Sequence, residues 1–273
     1  MIVPPAEARA ANMAQHATLG YHEVTEQPLT SGFVRRGAAR FTLTPAAFAS
    51  QLDAILAGKQ LPRLVTELDP GRAGRHLLLS FDDGGRSAMH SAHELERRGW
   101  RAHFFIITSR IGERTFLAEN DIRQLHAMGH VVGSHSHTHP NIIRELQPDQ
   151  ILREWQESTD RLEQLLGAPC QTGAVPGGHT SAAVEMAAAE SGLRHLFTCT
   201  PTLRSRMVGD CRVYGRVLVR REMSTHTVAN LACFRGWERQ FLVRRSKDVL
   251  RSGMPWLFRA WTGRMAEEVT PGG

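Results

Sequence analysis

The chain has 273 residues, 41% of them hydrophobic and 22% charged, with a formal net charge of +6. This composition excludes a disordered or collagen-like chain, and no apolar run reaches the roughly 18 residues of a spanning helix. The expectation is a soluble globular protein. Ala17 to Val24 reads as a strand. A helix follows, with Thr44 as N-cap, Pro45 in the first turn, and Phe48, Leu52, Ile55 and Leu56 as its apolar stripe. The alternation then repeats. Leu77 to Phe81 is a continuous apolar strand suited to burial on both faces, and Ser87 to Arg98 is a helix ended by Gly99. His103 to Thr108 is the next strand, Asn120 to Met128 the next helix, and Val131-Val132 opens a further strand. A long helix runs from about Pro148 to Gly167, and strand Thr172 to Val175, helix Ser181 to Ser191 and strand His195 to Thr198 complete the series.

Strands alternating with helices imply parallel crossovers, so the fold is α/β, either a barrel or a doubly wound sheet. In both, chemistry collects in the loops that follow the strands. No repeat or polar linker divides the chain. Cys170, Cys199, Cys211 and Cys233 form no CxxC pair and read as core residues. Met1 to Gln15 has no continuous apolar segment of the secretory kind, which predicts a cytoplasmic protein.

Three of the predicted loops carry unusual residues. Asp82-Asp83-Gly84-Gly85 puts two carboxylates at the end of an apolar strand. Adjacent strand residues point to opposite sides, so the two carboxylates do different jobs unless the turn has already begun. The loop after Val131-Val132 has three histidines in five residues, His135, His137 and His139. Histidine is the commonest metal ligand, and two spaced four apart share one face of a helical turn. Two imidazoles and one carboxylate leave coordination positions open for water and substrate, the pattern of a hydrolytic metal site, while the second carboxylate is free to act as a base. The third loop, Pro176-Gly177-Gly178-His179, exposes glycine N–H groups beside a helix start, where a developing oxyanion is stabilised.

Ser-Phe-Asp-Asp-Gly at 80–84, His-Ser-x-x-His-Pro at 135–140 and Pro-x-Gly at 176–178, in that order, resemble the polysaccharide deacetylases, the NodB-like carbohydrate esterases. Tyr21-His22 is similar to a pair in exopolysaccharide-type members, and the likeness spans roughly Ala17 to Val219. The resemblance implies a distorted (β/α)7 barrel over 17–220, between an N-terminal extension (1–16) and a basic helical region (221–273). It implies metal-dependent removal of N-acetyl groups from amino sugars of a cell-surface polysaccharide or its lipid-linked precursor. By position, Asp82 matches the catalytic base, Asp83, His135 and His139 the ligands of one divalent ion, and the Gly177 N–H the oxyanion donor. Zinc is the expected ion, with cobalt or nickel as alternatives. Pro176 and Gly178 are candidate substrate contacts. His137 is not a family position and is expected to face solvent.

Two positions depart from the family pattern. Where many members have an arginine that pairs with the base, this chain has Ala174, which predicts an unpartnered Asp82 with a raised pKa. The late histidine that serves as general acid has no clear match, leaving His179 and His226 as candidates. A lipid-linked deformylase and a non-catalytic carbohydrate-binding relative are the rival readings.

Between Arg212 and Met265 lie 12 basic residues against Glu222, Glu238 and Asp248, interleaved from Phe234 to Trp261 with aromatic and aliphatic side chains. Such a segment packs a last helix onto the barrel or lies on an anionic membrane surface, with peripheral contact expected over 229–265. Nucleic acid is not expected, because no groove-reading element is identifiable.

Overall fold

The computed structural model describes residues 14–35, 37–69 and 72–253, with side chains described through residue 246. Strands β1 (Gln15–Tyr21), β2 (Arg75–Phe81), β3 (His103–Ile106), β4 (Val131–Ser134), β5 (Thr172–Ala174) and β6 (His195–Phe197) pair in parallel, each with the next. Three short strands follow, β7 (Arg206–Val208), β8 (Cys211–Tyr214) and β9 (Val217–Leu218). The single sheet has the order β7-β8-β6-β5-β4-β3-β2-β1-β9, parallel throughout except for the β7-β8 hairpin. It is a curled α/β sheet of the barrel kind, open between β9 and β7 among the described residues.

Helices α1 (Pro45–Ala57), α2 (Ala88–Glu96), α3 (Glu119–Ala127), α4 (Pro148–Leu166) and α5 (Ala182–Glu190) are the crossovers, followed by α6 (Thr225–Ala232) and α7 (Trp237–Gly253). Thr44 caps α1 by accepting from the Ala47 N–H at 3.2 Å, and Pro45 occupies its first turn.

Strand alternation decides which residues reach the site. Leu77, Leu79 and Phe81 of β2 join Ala17, Leu19 and Tyr21 of β1 in the cluster that packs under the helices. Leu78 turns to the opposite face, where it meets Phe105, Ala174, Phe197 and Tyr214 inside the curl. Ser80 and Asp82 follow Leu78 along that inner face. Tyr21 is thus a core residue, packed against Phe48 and Phe81, whereas His22 lies on the cavity side.

Helix α6 buries Val228, Leu231 and Ala232 in the main core, and Trp237 at the start of α7 is buried with its Nε1–H donating to Leu231 O at 3.0 Å. Beyond Trp237 the helix meets the barrel through Gln240, Val243 and Arg244 at the cavity wall, Arg244 donating to Gly178 O at 3.0 Å, while Phe241, Leu242 and Val243 are 38%, 62% and 40% exposed. The segment is too arginine-rich to offer a continuous apolar stripe. Trp256, Leu257, Phe258 and Trp261 lie outside the described residues. Among the described residues no helix is long and apolar enough to cross a membrane.

Candidate metal centre and active site

The carboxylate loop begins its turn earlier than strict strand alternation assumes. Asp83 sits at φ +74°, which swings its side chain back to the side that Asp82 faces. Both carboxylates therefore approach one imidazole: His135 Nε2 is 3.3 Å from Asp83 Oδ1 and 3.9 Å from Asp82 Oδ2. His139 Nε2 lies 3.6 Å from the same Asp83 oxygen, and its own φ of +55° and the +62° of Ser136 fold the loop tightly enough to bring it there. Left-handed non-glycine residues are rare and persist where surrounding structure holds them. Here Ser136 Oγ accepts the His139 N–H at 3.1 Å, and Ser134 Oγ accepts the Ser136 N–H at 3.1 Å.

These three residues fit a divalent cation. A carbonyl oxygen only accepts, so the 2.9 Å contact of His135 Nδ1 with Ala174 O fixes the proton on Nδ1 and points the Nε2 lone pair at Asp83. In the neutral tautomer, lone pairs then face one another at 3.3 Å. Two ligands about 2.0–2.1 Å from one tetrahedral ion stand about that far apart. One ligand atom from each of Asp83, His135 and His139 lies within 4.8 Å of the others. Burial holds His139 down to about pKa 4, keeping it neutral as a ligand must be. Without an ion the two carboxylates raise the His135 pKa despite its burial, and the proton so held on Nε2 is donated to Asp83; with the nearby imidazoles it pulls that carboxyl well below the usual range against burial. His137 stands apart from this set and also departs from the solvent-facing expectation. Its Nδ1 contacts Thr108 Oγ1 at 2.9 Å and its Nε2 faces Glu157 at 3.6 Å, because the turn at Ser136 directs it toward α4.

Asp82 is not an unpartnered carboxylate, which corrects the expectation drawn from Ala174. Arg216, fully buried just before β9, donates to Asp82 Oδ1 at 2.6 Å and to Oδ2 at 3.0 Å, and also to Ser80 Oγ at 3.0 Å. Burial alone drives the Asp82 carboxyl up, but this fork of two charge-assisted bonds outweighs it and the pKa lies below the ordinary value. Gly20 on β1 lies beside the pair: a Cβ there would come within 2.6 Å of Leu218 Cδ2, which would have to shift, and in ordinary contact, 3.7 Å, with the Arg216 guanidinium. The sequence signal was available: Gly209-Asp210 is a two-residue hairpin turn between β7 and β8, and the lone arginine in Tyr214-Gly215-Arg216-Val217-Leu218 follows it.

Asp82, Asp83, His135 and His139 open into a cavity of about 360 Å³ that Gly177, Gly178 and His179 also line. Gly177 is at φ +60°, a conformation that places the residue on the cavity wall and that a side chain would strain. Pro176 is buried and does not line the cavity, so it is no substrate contact, while Gly178 remains in place for one. His179 is 8% exposed on this wall. His226 is on α6, against Asn230 at 3.3 Å, and lines no part of the cavity, which removes it as an acid. Cys199, expected as a plain core residue, lines the cavity behind Arg216.

Two cavity residues had no role in the sequence reading. His22 stacks on Phe41 at 4.7 Å, with its buried Nδ1 lacking a hydrogen-bond partner among the described residues. Glu23 is buried, and its Oε2 accepts from Ser87 Oγ at 2.6 Å and from Ser31 Oγ, tying the end of β1 to the start of α2. Burial lifts its pKa to about 7, against the two serine hydrogen bonds. The folded protein thus keeps a proton that the unfolded chain releases near its ordinary value. Stability from this group is full below the unfolded value and is lost as pH rises through about 7. Unfolding in urea at pH 5 and pH 8 should show this loss, up to about 3 kcal/mol, in the wild type and not in Glu23→Gln. Equal pH dependence in the two proteins contradicts the assignment.

With the geometry in place, comparison with known proteins gives a consistent picture. A family model described as polysaccharide deacetylase matches residues 70–196. A polysaccharide deacetylase from Bacillus cereus superposes with a TM-score of 0.69 at 18% identity, covering 80% of this chain and 69% of that one. IcaB from Ammonifex degensii gives 0.66 at 22%, covering 80% and 97%. The Streptococcus pyogenes deacetylase PplD, solved in complex with acetate, gives 0.65 at 17%, covering 81% and 99%. At such identities the structures establish a shared fold. No curated protein matches by sequence. The matched stretch, residues 70–196, carries both carboxylates and all three loop histidines and is similar to the polysaccharide deacetylase domain.

Proposed function

We propose that the protein is a metal-dependent hydrolase that removes N-acetyl groups from amino sugars of a cell-surface polysaccharide or its lipid-linked precursor. The observation that carries this reading is one cavity in which a buried Asp82–Arg216 pair stands beside the Asp83, His135 and His139 ligand set. The match of residues 70–196 to the polysaccharide deacetylase model supports acyl hydrolysis as the reaction class.

When bound by those three residues, a divalent cation supplies a Lewis acid and makes water nucleophilic at neutral pH. Asp82 takes the proton of the attacking water. Arg216 holds that carboxylate ionised and fixed in orientation, so it is ready to accept. The Gly177 N–H donates to the oxyanion that develops on the acyl carbonyl. His179, two residues after Gly177 on the same cavity wall, hands a proton to the departing amine. With a partner for the base present, one of the two reasons for a non-catalytic reading, the missing arginine, falls away.

The test is acyl release from N-acetylated and N-formylated amino-sugar oligomers by protein stripped with chelator and resupplied with single divalent metals. Acetate release restored by metal is the expected result. Formate release in preference to acetate redirects the assignment to a deformylase, and silence with every metal and both acyl groups overturns the hydrolase reading.

A further inference from the structure

We propose that the cavity selects an acylated amino sugar bearing a phosphoryl group, and that Arg40 and Arg220 hold that group. The proposal rests on the function just described and names the class of substrate.

Arg40 lies in the short 3-10 turn Ala38–Phe41 and Arg220 directly after β9, so two distant segments each deliver a guanidinium to the cavity that Asp82 lines. The Arg221 N–H donates to Arg40 O at 2.8 Å and locks the segments together. One carboxylate serves both cations: Glu222 Oε1 is 3.5 Å from Arg40 Nη2 and 3.3 Å from Arg220 Nε. A single negative charge cannot neutralise two positive ones. The Arg40 Nε is buried without a hydrogen bond, and Arg220 Nε has only the long Glu222 contact. The rest of each side chain is open, Arg40 being 40% and Arg220 23% exposed, so both can meet an incoming acceptor.

The other charges on the wall do not cancel the surplus. Asp82 is taken by Arg216, Asp83 belongs to the cation site and Glu23 accepts from Ser31 and Ser87, while among the described residues Arg35 and Arg244 add positive charge at the same cavity. The field at the site is therefore positive, which attracts and orients an anionic ligand. Guanidinium forks match the several oxygens of a phosphoryl group better than any neutral hydroxyl. Phe41, Leu218 and Met223 flank the two arginines with apolar surface for the remainder of the substrate.

The experiment measures binding by calorimetry on the metal-loaded wild type, using non-acylated sugars so that no turnover intervenes. The probes are a hexosamine 1-phosphate, its neutral methyl glycoside and inorganic phosphate. The phosphorylated sugar should bind about tenfold or more tightly than the neutral one, the size expected of charge-assisted hydrogen bonds. In Arg40→Gln/Arg220→Gln this ratio should fall close to one. Arg40→Lys/Arg220→Lys should retain part of it, and Arg153→Gln, an exposed arginine on α4, all of it.

Equal affinity for charged and neutral sugars overturns the proposal. So does a phosphate advantage that survives in the double glutamine variant, or inorganic phosphate binding as tightly as the sugar phosphate, since either places the anion on the cation site. A prenyl-linked sugar phosphate, presented in detergent, competes alongside the soluble one. Competition by either that is lost in the double variant supports the proposal, and the stronger competitor names the source. Selective phosphosugar binding without acyl release from any substrate would sink the hydrolase reading alone. Acyl release from neutral oligomers with no effect of the arginine variants would sink only this one.

Discussion

Replacing Asp82 with asparagine is expected to lower acyl release by about 10²–10⁴-fold, the usual worth of a positioned base, while metal content stays at the wild-type level. Asparagine still offers Arg216 an oxygen to bond, so the buried guanidinium is not abandoned, but it cannot accept a proton at neutral pH. His139→Gln should lose metal and activity together, because His139 faces Asp83 within the ligand set. His137→Gln should lose neither, because His137 contacts Thr108 and Glu157 instead. Elemental analysis and acetate assay on the same preparations decide the matter. Loss of metal from Asp82→Asn with retention in His139→Gln would exchange the roles assigned to these residues.

Arg216→Leu should be the most destabilising single change in the site, by about 3–5 kcal/mol, since it leaves a buried carboxylate without its counter-charge. The pH dependence gives this prediction its sign. In the wild type the depressed Asp82 pKa contributes stability that is present above the ordinary carboxylate value and lost as pH falls through the folded value. In the variant only the His135 and His22 imidazoles still oppose burial, so the pKa rises, Asp82 holds its proton to higher pH and the variant suffers least in acid. The gap between the two proteins should therefore widen from pH 5 to pH 8 in urea unfolding, and the acid limb of the activity profile should move to higher pH. Arg216→Lys should fall between them, retaining charge but not the two-bond fork. A pH-independent gap would mean that Arg216 acts by packing against Phe105 and Phe197 and not by holding Asp82 ionised.

The same contrast between local and distant determinants separates what was legible in the sequence from what was not. The six leading strands and five crossover helices were readable because each announces itself within its own segment: apolar runs of strand length, a Thr44-Pro45 helix start, glycines at helix ends. The candidate ligands were readable for a related reason: Asp82 and Asp83 follow β2, the three histidines follow β4, and loops after parallel strands converge, while the choice of Asp83, His135 and His139 among them rested on the family resemblance.

The partner of Asp82 was not readable in this way. Arg216 lies 134 residues downstream, between the short strands β8 and β9 whose patterning is weak, and only the pairing of β9 beside β1 brings it to the base. The same holds for Glu23 and for Arg40 with Arg220, which meet through sheet order and not through spacing. Backbone handedness was the other hidden variable: the left-handed turns at Asp83, Ser136 and His139 aim the carboxylate and the second imidazole inward and turn His137 away. By itself the sequence determined the alternation of elements, the family resemblance and the residues able to ligate a metal, all properties of short segments. The tertiary structure alone decided the charge state of the base, the sign of the cavity's field and the fate of His137. These depend on burial and on contacts between residues far apart in the chain, which no local pattern encodes.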